Sequence, residues 1–160
     1  MAEPVIRSLQ PADRDWVRKK MVDEWGAEFV VVHGELFHPA ELPGFVICAG
    51  QELVGLITFR FDGPACEIMT VNTWNAGAGM GGALIDHVRR AALGQDCRRL
   101  YLVTTNDNTR ALRFYQRLGF TIATVRLNAL ETSRKLKPGI PLIGEDGIPL
   151  RDEIELEMVL

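Results

Sequence analysis

The spacing of apolar and polar positions changes several times along the 160-residue chain, and each change marks an element. Residues 5–9 alternate and stop at Gln10-Pro11-Ala12-Asp13, after which Trp16, Val17, Lys20, Met21 and Trp25 recur at helical spacing up to Gly26. This predicts a strand, then an amphipathic helix. Residues 27–43 carry two prolines and no clear period, which predicts a loop or short helix bordering a pocket. Residues 45–49 and 53–61 flank the compact turn Gly50-Gln51-Glu52, an antiparallel hairpin signal, and Asp62-Gly63-Pro64 leads into a third strand over 66–73. Met80, Leu84, Val88 and Ala92, four apart, predict a helix over 79–93 ending near Gly94. Residues 98–104 return to strand. Asn108 then stands at an N-cap position, Ala111, Phe114, Tyr115 and Leu118 follow on one helical face, and Gly119 ends the helix before a strand over 120–127. Three prolines and three glycines make 138–149 a long loop. Ile154, Leu156, Met158 and Leu160 alternate with Glu153, Glu155 and Glu157, which predicts an antiparallel strand with one face in the core and one in water.

Composition places these elements in a folded chain. With 47% hydrophobic and 24% charged residues and a mean hydropathy of +0.03, one domain over residues 1–160 is expected. The net charge of −3 argues against a nucleic-acid binder. Apolar runs are too short for a membrane span and residues 1–10 lack a leader pattern, so a cytoplasmic protein without membrane contact is expected. Six acids (Glu145, Asp146, Asp152, Glu153, Glu155, Glu157) against Arg151 make the end of the chain acidic, either a solvated edge or a surface favouring a cationic small molecule. Cys48, Cys66 and Cys97 form no C-x-x-C pair and His33 and His38 no ligand pattern, so reduced thiols and no metal are expected.

The candidate chemistry centres on Ala76-Gly77-Ala78-Gly79-Met80-Gly81-Gly82, between a strand and a helix. Glycines let the backbone approach an anion, and the helix N-terminus offers unsatisfied amides. Gly77, Gly79 and Gly82 satisfy G-x-G-x-x-G, but a dinucleotide fold opens on that motif, whereas about five elements precede it here, and no acid ends the next strand. A purely structural turn is the other alternative.

Glu67-Ile68-Met69-Thr70-Val71, the glycine loop through Leu84, and Asn108 through Phe120 occur in this order, the last two about 30 residues apart. Together these segments resemble the GNAT superfamily of acyl-CoA-dependent N-acetyltransferases, most strongly over residues 45–126. The resemblance implies an α/β fold with a mixed central sheet splayed between its fourth and fifth strands and flanked by helices, with acetyl-CoA as acyl donor. It implies that the backbone of Val71 and Thr73 binds the acetyl carbonyl and pantetheine arm, that amides of Ala78, Gly79, Met80, Gly81 and Gly82 hold the pyrophosphate, that Asn108 contacts the coenzyme and that Tyr115 protonates the leaving thiolate. A phenol of pKa near 10 can do so only if well placed, so geometry carries the step. Asn108 and Tyr115, seven residues apart, lie two helical turns from each other on one face. The residue-level alternatives are a helix cap for Asn108 and a core aromatic for Tyr115. Ala76 replaces the usual Gln or Arg and Thr73 the frequent Pro; Arg110 and Arg113 are alternative sources of positive charge.

An amine acceptor needs a base. Glu67 is the first candidate, sharing a strand face with Met69 and Val71 unless a bulge intervenes; its alternative is a solvated carboxylate. Glu28, His33 and Glu35, in the irregular segment, are further candidates, while Val103 stands where some protein-acetylating members carry Glu. A Cys66 acyl-enzyme is a weaker reading than a buried thiol. The expected reaction is transfer of acetyl to a primary amine of a small molecule or peptide within a ternary complex, with residues 137–149 covering the acceptor side. The alternative is a GNAT-like module that binds acyl-CoA without turnover. An exposed terminal strand is compatible with a homodimer.

Overall fold

Short turns join the successive elements. The computed structural model describes residues 3–160, with strands β1 (Val5–Ser8), β2 (Val30–Val32), β3 (Glu35–Phe37), β4 (Gly44–Ala49), β5 (Glu52–Asp62), β6 (Ala65–Thr73), β7 (Arg99–Thr105), β8 (Thr121–Arg126) and β9 (Glu153–Val159). The helices are α1 (Arg14–Trp25), α2 (Met80–Gly94), α3 (Thr109–Arg117) and α4 (Ala129–Leu136). They group into two compact units, one holding residues up to Glu28, His38–Leu100 and Val159–Leu160, the other Phe29–Phe37 and Tyr101–Met158. No helix among the described residues is long and apolar enough to cross a membrane.

In the first unit the strands run in the order β1-β4-β5-β6, each antiparallel to its neighbour. The predicted turns close them: Ala49 pairs with Glu52 and Asp62 with Ala65, with Gly50 and Gly63 at positive φ. Val17 and Met21 of α1 are buried against Ala40, Val46 and Leu56, each large side chain contributing about 1.5–3 kcal/mol. Phe45, on the opposite face of β4, meets His87 of α2 at 5.3 Å, so the two helices cover opposite faces.

The second unit orders its strands β7-β9-β8, with β8 antiparallel to β9. The strand that ends the chain is therefore interior, and the edge expected there belongs to β8, where Ile122 and Val125 are half exposed. Residues 27–43, expected as loop or short helix, contain the β2–β3 hairpin. His33 and Gly34 form its turn, both at positive φ as a type I′ turn requires. The helix α4 was not expected from the sequence. The acidic face of β9 also departs from expectation: Leu156 enters the core, yet Glu153 is only 3% exposed because Arg126 of β8 covers it.

Candidate active site

The sequence-derived residues divide between the units. In the first, Val71 pairs with Ile57 and Thr73 with Gly55, but β6 carries a bulge: Thr58 pairs with Thr70 and Phe59 with Ile68, leaving Met69 as the extra residue. The bulge corrects the expected face. Glu67 pairs with Arg60 and Val71 with Ile57, and residues 60 and 57 of β5 point to opposite sides, so Glu67 and Val71 do too. Nor is the Glu67 carboxylate at a solvated strand end. It is 1% exposed, and its Oε1 accepts from both Nε and Nη2 of Arg60 at 2.8 Å. Beside it, burial pushes the Cys66 thiol up to about 12, with Cys97 and Glu67 adding to the shift. Cys66 is thus a protonated thiol at neutral pH, unsuited to form an acyl-enzyme.

At the end of β6 the amide of Trp74 donates to Val54 O at 2.8 Å, and its indole is fixed against α1 by Glu24 Oε1 at 2.7 Å and by the edge of Trp16. The backbone then takes positive φ at Asn75, Gly77 and Gly79, a pattern of the kind that turns amides inward to form an anion-binding concavity. A methyl group on Gly77 or Gly79 would meet nothing within 4 Å, so the surface above both is open. Gly79 is the N-cap of α2 and offers no side-chain cap; its carbonyl accepts the amide of Ala83 at 3.0 Å. The amides of Met80, Gly81 and Gly82 precede the first intrahelical partner, and no acid lies in that turn. Ala78 is exposed at the rim, while Ala76 is buried and extends no polar group.

In the second unit Asn108 caps α3, its Oδ1 accepting the amide of Ala111 at 3.2 Å, and Tyr115 packs between Phe114 and Phe120 at 5.3 and 5.9 Å. The structure thus realises both residue-level alternatives, cap and core aromatic. They do not exclude ligand contacts, since Asn108 keeps its amide group and burial alone raises the Tyr115 pKa, keeping the phenol protonated. Arg110 and Arg113 point into solvent. The residues just before the cap are the ones sequence reasoning missed. Asp107, buried, accepts from Thr105 Oγ1 and from the amide of Glu145 at 3.0 Å. Asn106 accepts the amides of Arg151 and Asp152 and donates to Pro149 O, and Arg134 of α4 donates to the carbonyls of Ile140, Pro141 and Leu150. Residues 138–149 are therefore fastened to the turn that starts α3. Asp107 and Asn106 beside a strand-to-helix turn were the only signal available.

A second cluster in this unit surrounds Arg126, which binds Glu153 at 3.2 Å, Glu155 at 3.1 Å and His33 Nδ1 at 3.3 Å, with the Tyr101 ring 6.3 Å from the imidazole. A guanidinium only donates, so Nδ1 accepts and a neutral ring carries its proton on Nε2. In this arrangement His33 offers a donor rather than a base. Glu35 of this unit and Glu28 of the first are both exposed.

The sequence matches the acetyltransferase (GNAT) family over residues 8–120. It is 39% identical over 137 residues to the uncharacterized protein YdhI of Bacillus subtilis (strain 168), covering 85% of this chain and 86% of that one. The fold is similar to a GNAT family acetyltransferase from Elizabethkingia anophelis with acetyl-CoA bound, at TM-score 0.69, 22% identity and 100% of each chain. It is also similar to Arabidopsis thaliana Naa50 in complex with the bisubstrate analogue CoA-Ac-MVNAL, at TM-score 0.73, 16% identity and 99% and 100% of the two chains. With its mixed α/β arrangement of helix-flanked strands, its bulged strand β6 and its open glycine loop leading into α2, the chain belongs to the GNAT acetyltransferase family.

Proposed function

We propose that this chain is an N-acetyltransferase that carries the acetyl group of acetyl-CoA to a primary amine of a small molecule or peptide by direct attack in a ternary complex. The observation that carries this reading is the glycine loop, with positive φ at Gly77 and Gly79, open space above them and an uncapped helix behind. Those features fit a pyrophosphate: residues 78–82 supply amide donors, and the α2 dipole favours the anion. Val71 and Thr73 present backbone groups to the acyl end, Asn108 contacts the coenzyme, and Tyr115 gives its proton to the departing sulfur. The coenzyme-bound relative from Elizabethkingia anophelis and the bisubstrate complex of Naa50 support the donor and the ternary route. We read residues 1–160 as one working domain, since the family match runs through residues of both units, and place it in the cytoplasm.

The test is calorimetric titration with acetyl-CoA, CoA and NAD, then thiol release with a panel of amines. Binding of acetyl-CoA and CoA but not NAD, with amine-dependent release, is expected; binding of NAD alone overturns the reading. One observation favours a second reading, a coenzyme-binding module without turnover: the leading base candidate, Glu67, is engaged by Arg60. Tight coenzyme binding with no thiol release from any amine selects it.

A further inference from the structure

The bulge at Met69 puts Glu67, Thr70 and Asn72 on one face of β6, opposite Arg60, Thr58 and Leu56, and Leu56 packs there against Val17 and Met21 of α1. The polar groups on either side of Asn72 are matched within the protein. Glu67 is held by Arg60, the Thr58 and Thr70 hydroxyls share a hydrogen bond of 2.7 Å, and the Trp74 indole donates to Glu24. Asn72 differs. The residue is half-buried, and among the described residues its Oδ1 is shielded from solvent yet accepts no hydrogen bond. An amide oxygen withdrawn from water without a donor costs stability, so such an atom calls for a ligand. Its place in the chain says which. Asn72 lies between Val71 and Thr73, the two residues whose backbone addresses the acyl end of the coenzyme in the function proposed above, so a donor that meets Oδ1 lies beside the thioester.

We infer that Asn72 positions the attacking amine, its Oδ1 accepting one N–H while the nitrogen lone pair faces the acetyl carbonyl. A neutral primary amine brings two hydrogens. As the lone pair attacks the carbonyl carbon, the nitrogen becomes cationic and releases one proton to water. The C–S bond breaks, and the sulfur departs with its electron pair and takes up a proton as free CoA. The second N–H stays on the product amide and keeps its bond to Oδ1. A secondary amine has a single hydrogen, which the reaction removes, so the oxygen of Asn72 is left unmatched again. Asn72 therefore selects primary over secondary amines, the kind of rejection that a buried polar group enforces when its partner is missing.

This inference rests on the proposed acetyl transfer, and one titration series keeps the two apart without a known acceptor. Calorimetry on the full chain compares three probes: CoA, CoA carrying an N-butylacetamide group on its sulfur, and the same conjugate methylated at the amide nitrogen. Each is titrated into the parent chain, Asn72→Leu and the smaller Asn72→Ala, so that one variant suffices if the other does not fold. The conjugate with the N–H should bind the parent about tenfold more tightly than its N-methyl form, the value of one matched hydrogen bond. In the variants that ratio should fall to about one. Equal binding of both conjugates to the parent, or a preference that persists in the variants because the methyl group clashes elsewhere, overturns the role of Asn72 alone. Failure of CoA itself to bind the parent overturns the coenzyme reading and this inference with it.

Discussion

Asp107 Oδ2 accepts the backbone amide of Glu145 at 3.0 Å, joining positions 38 residues apart and tying a proline- and glycine-rich loop to the start of α3. The contact leaves no room at the preceding residue. A Cβ at Gly144 would overlap the Asp107 carboxylate, and Gly144 also donates its amide to Ile148 O at 2.8 Å, so the backbone is held in place. Gly144→Ala should therefore destabilise the chain by about 1–3 kcal/mol, as overpacking of a fixed contact does. An unchanged thermal midpoint would show that the loop swings away freely.

Tyr115→Phe keeps the ring between Phe114 and Phe120 and removes only the hydroxyl. If the phenol protonates the leaving thiolate, kcat should fall by about 10²–10⁴, the usual contribution of a positioned acid, with little change in acetyl-CoA affinity by calorimetry. Turnover equal to the parent enzyme removes Tyr115 from the acid role.

Gly79→Ala places a Cβ on a residue with φ of 79°, a conformation that costs an L-residue roughly 1–2 kcal/mol, although the space around it is open. The loop should relax toward ordinary φ and turn its amides away. Acetyl-CoA affinity should then drop by about tenfold or more, the equivalent of that strain. Unaltered affinity in titration calorimetry would mean that the α2 N-terminus does not hold the pyrophosphate.

Glu67→Gln separates two roles for one carboxylate. Loss of the charged pair with Arg60 should cost about 1–3 kcal/mol of stability, seen as a lower thermal midpoint, if the residue is structural. A base role instead predicts a collapse of kcat at nearly unchanged stability and unchanged acetyl-CoA affinity.

Alkaline pH should weaken the fold through Cys66. Its pKa is raised from 9.0 to about 12 by burial, so between these values the unfolded chain releases a proton that the folded chain keeps. Stability is full below pH 9 and declines as pH climbs toward 12, and Tyr115, raised by burial above 10.0, adds to the loss from about that pH upward. Denaturant titrations of Cys66→Ala should show a shallower alkaline decline; an identical slope would contradict the assignment.

The sequence revealed what neighbouring residues decide. Gly50 and Gly63 announced their hairpins, Asn108 and Gly119 bracketed α3, and the glycine cluster marked the loop before α2. The β2–β3 hairpin stayed hidden because each strand has three residues and its turn is His33-Gly34 rather than Asn-Gly. The surroundings of Glu153 were illegible for a different reason. Its burial depends on Arg126, its cross-strand partner 27 residues earlier, and a register is invisible until strands are paired. Nor does a glycine mark the bulge at Met69, so alternation alone placed Glu67 on the wrong side.

That bulge bears on which changes in length the chain tolerates. Removing Met69 would leave Glu67, Ile68, Thr70, Val71 and Thr73 opposite the same partners on β5, so each would keep its present face and only the bulge would be lost. A one-residue deletion at the bulge is thus absorbed without turning the strand, whereas the same deletion between Val71 and Thr73 turns the residues that lead into the glycine loop to the other face. Natural variants of this fold should therefore differ in length at their turns and at this bulge, and hold the spacing from Thr70 to the glycine loop constant.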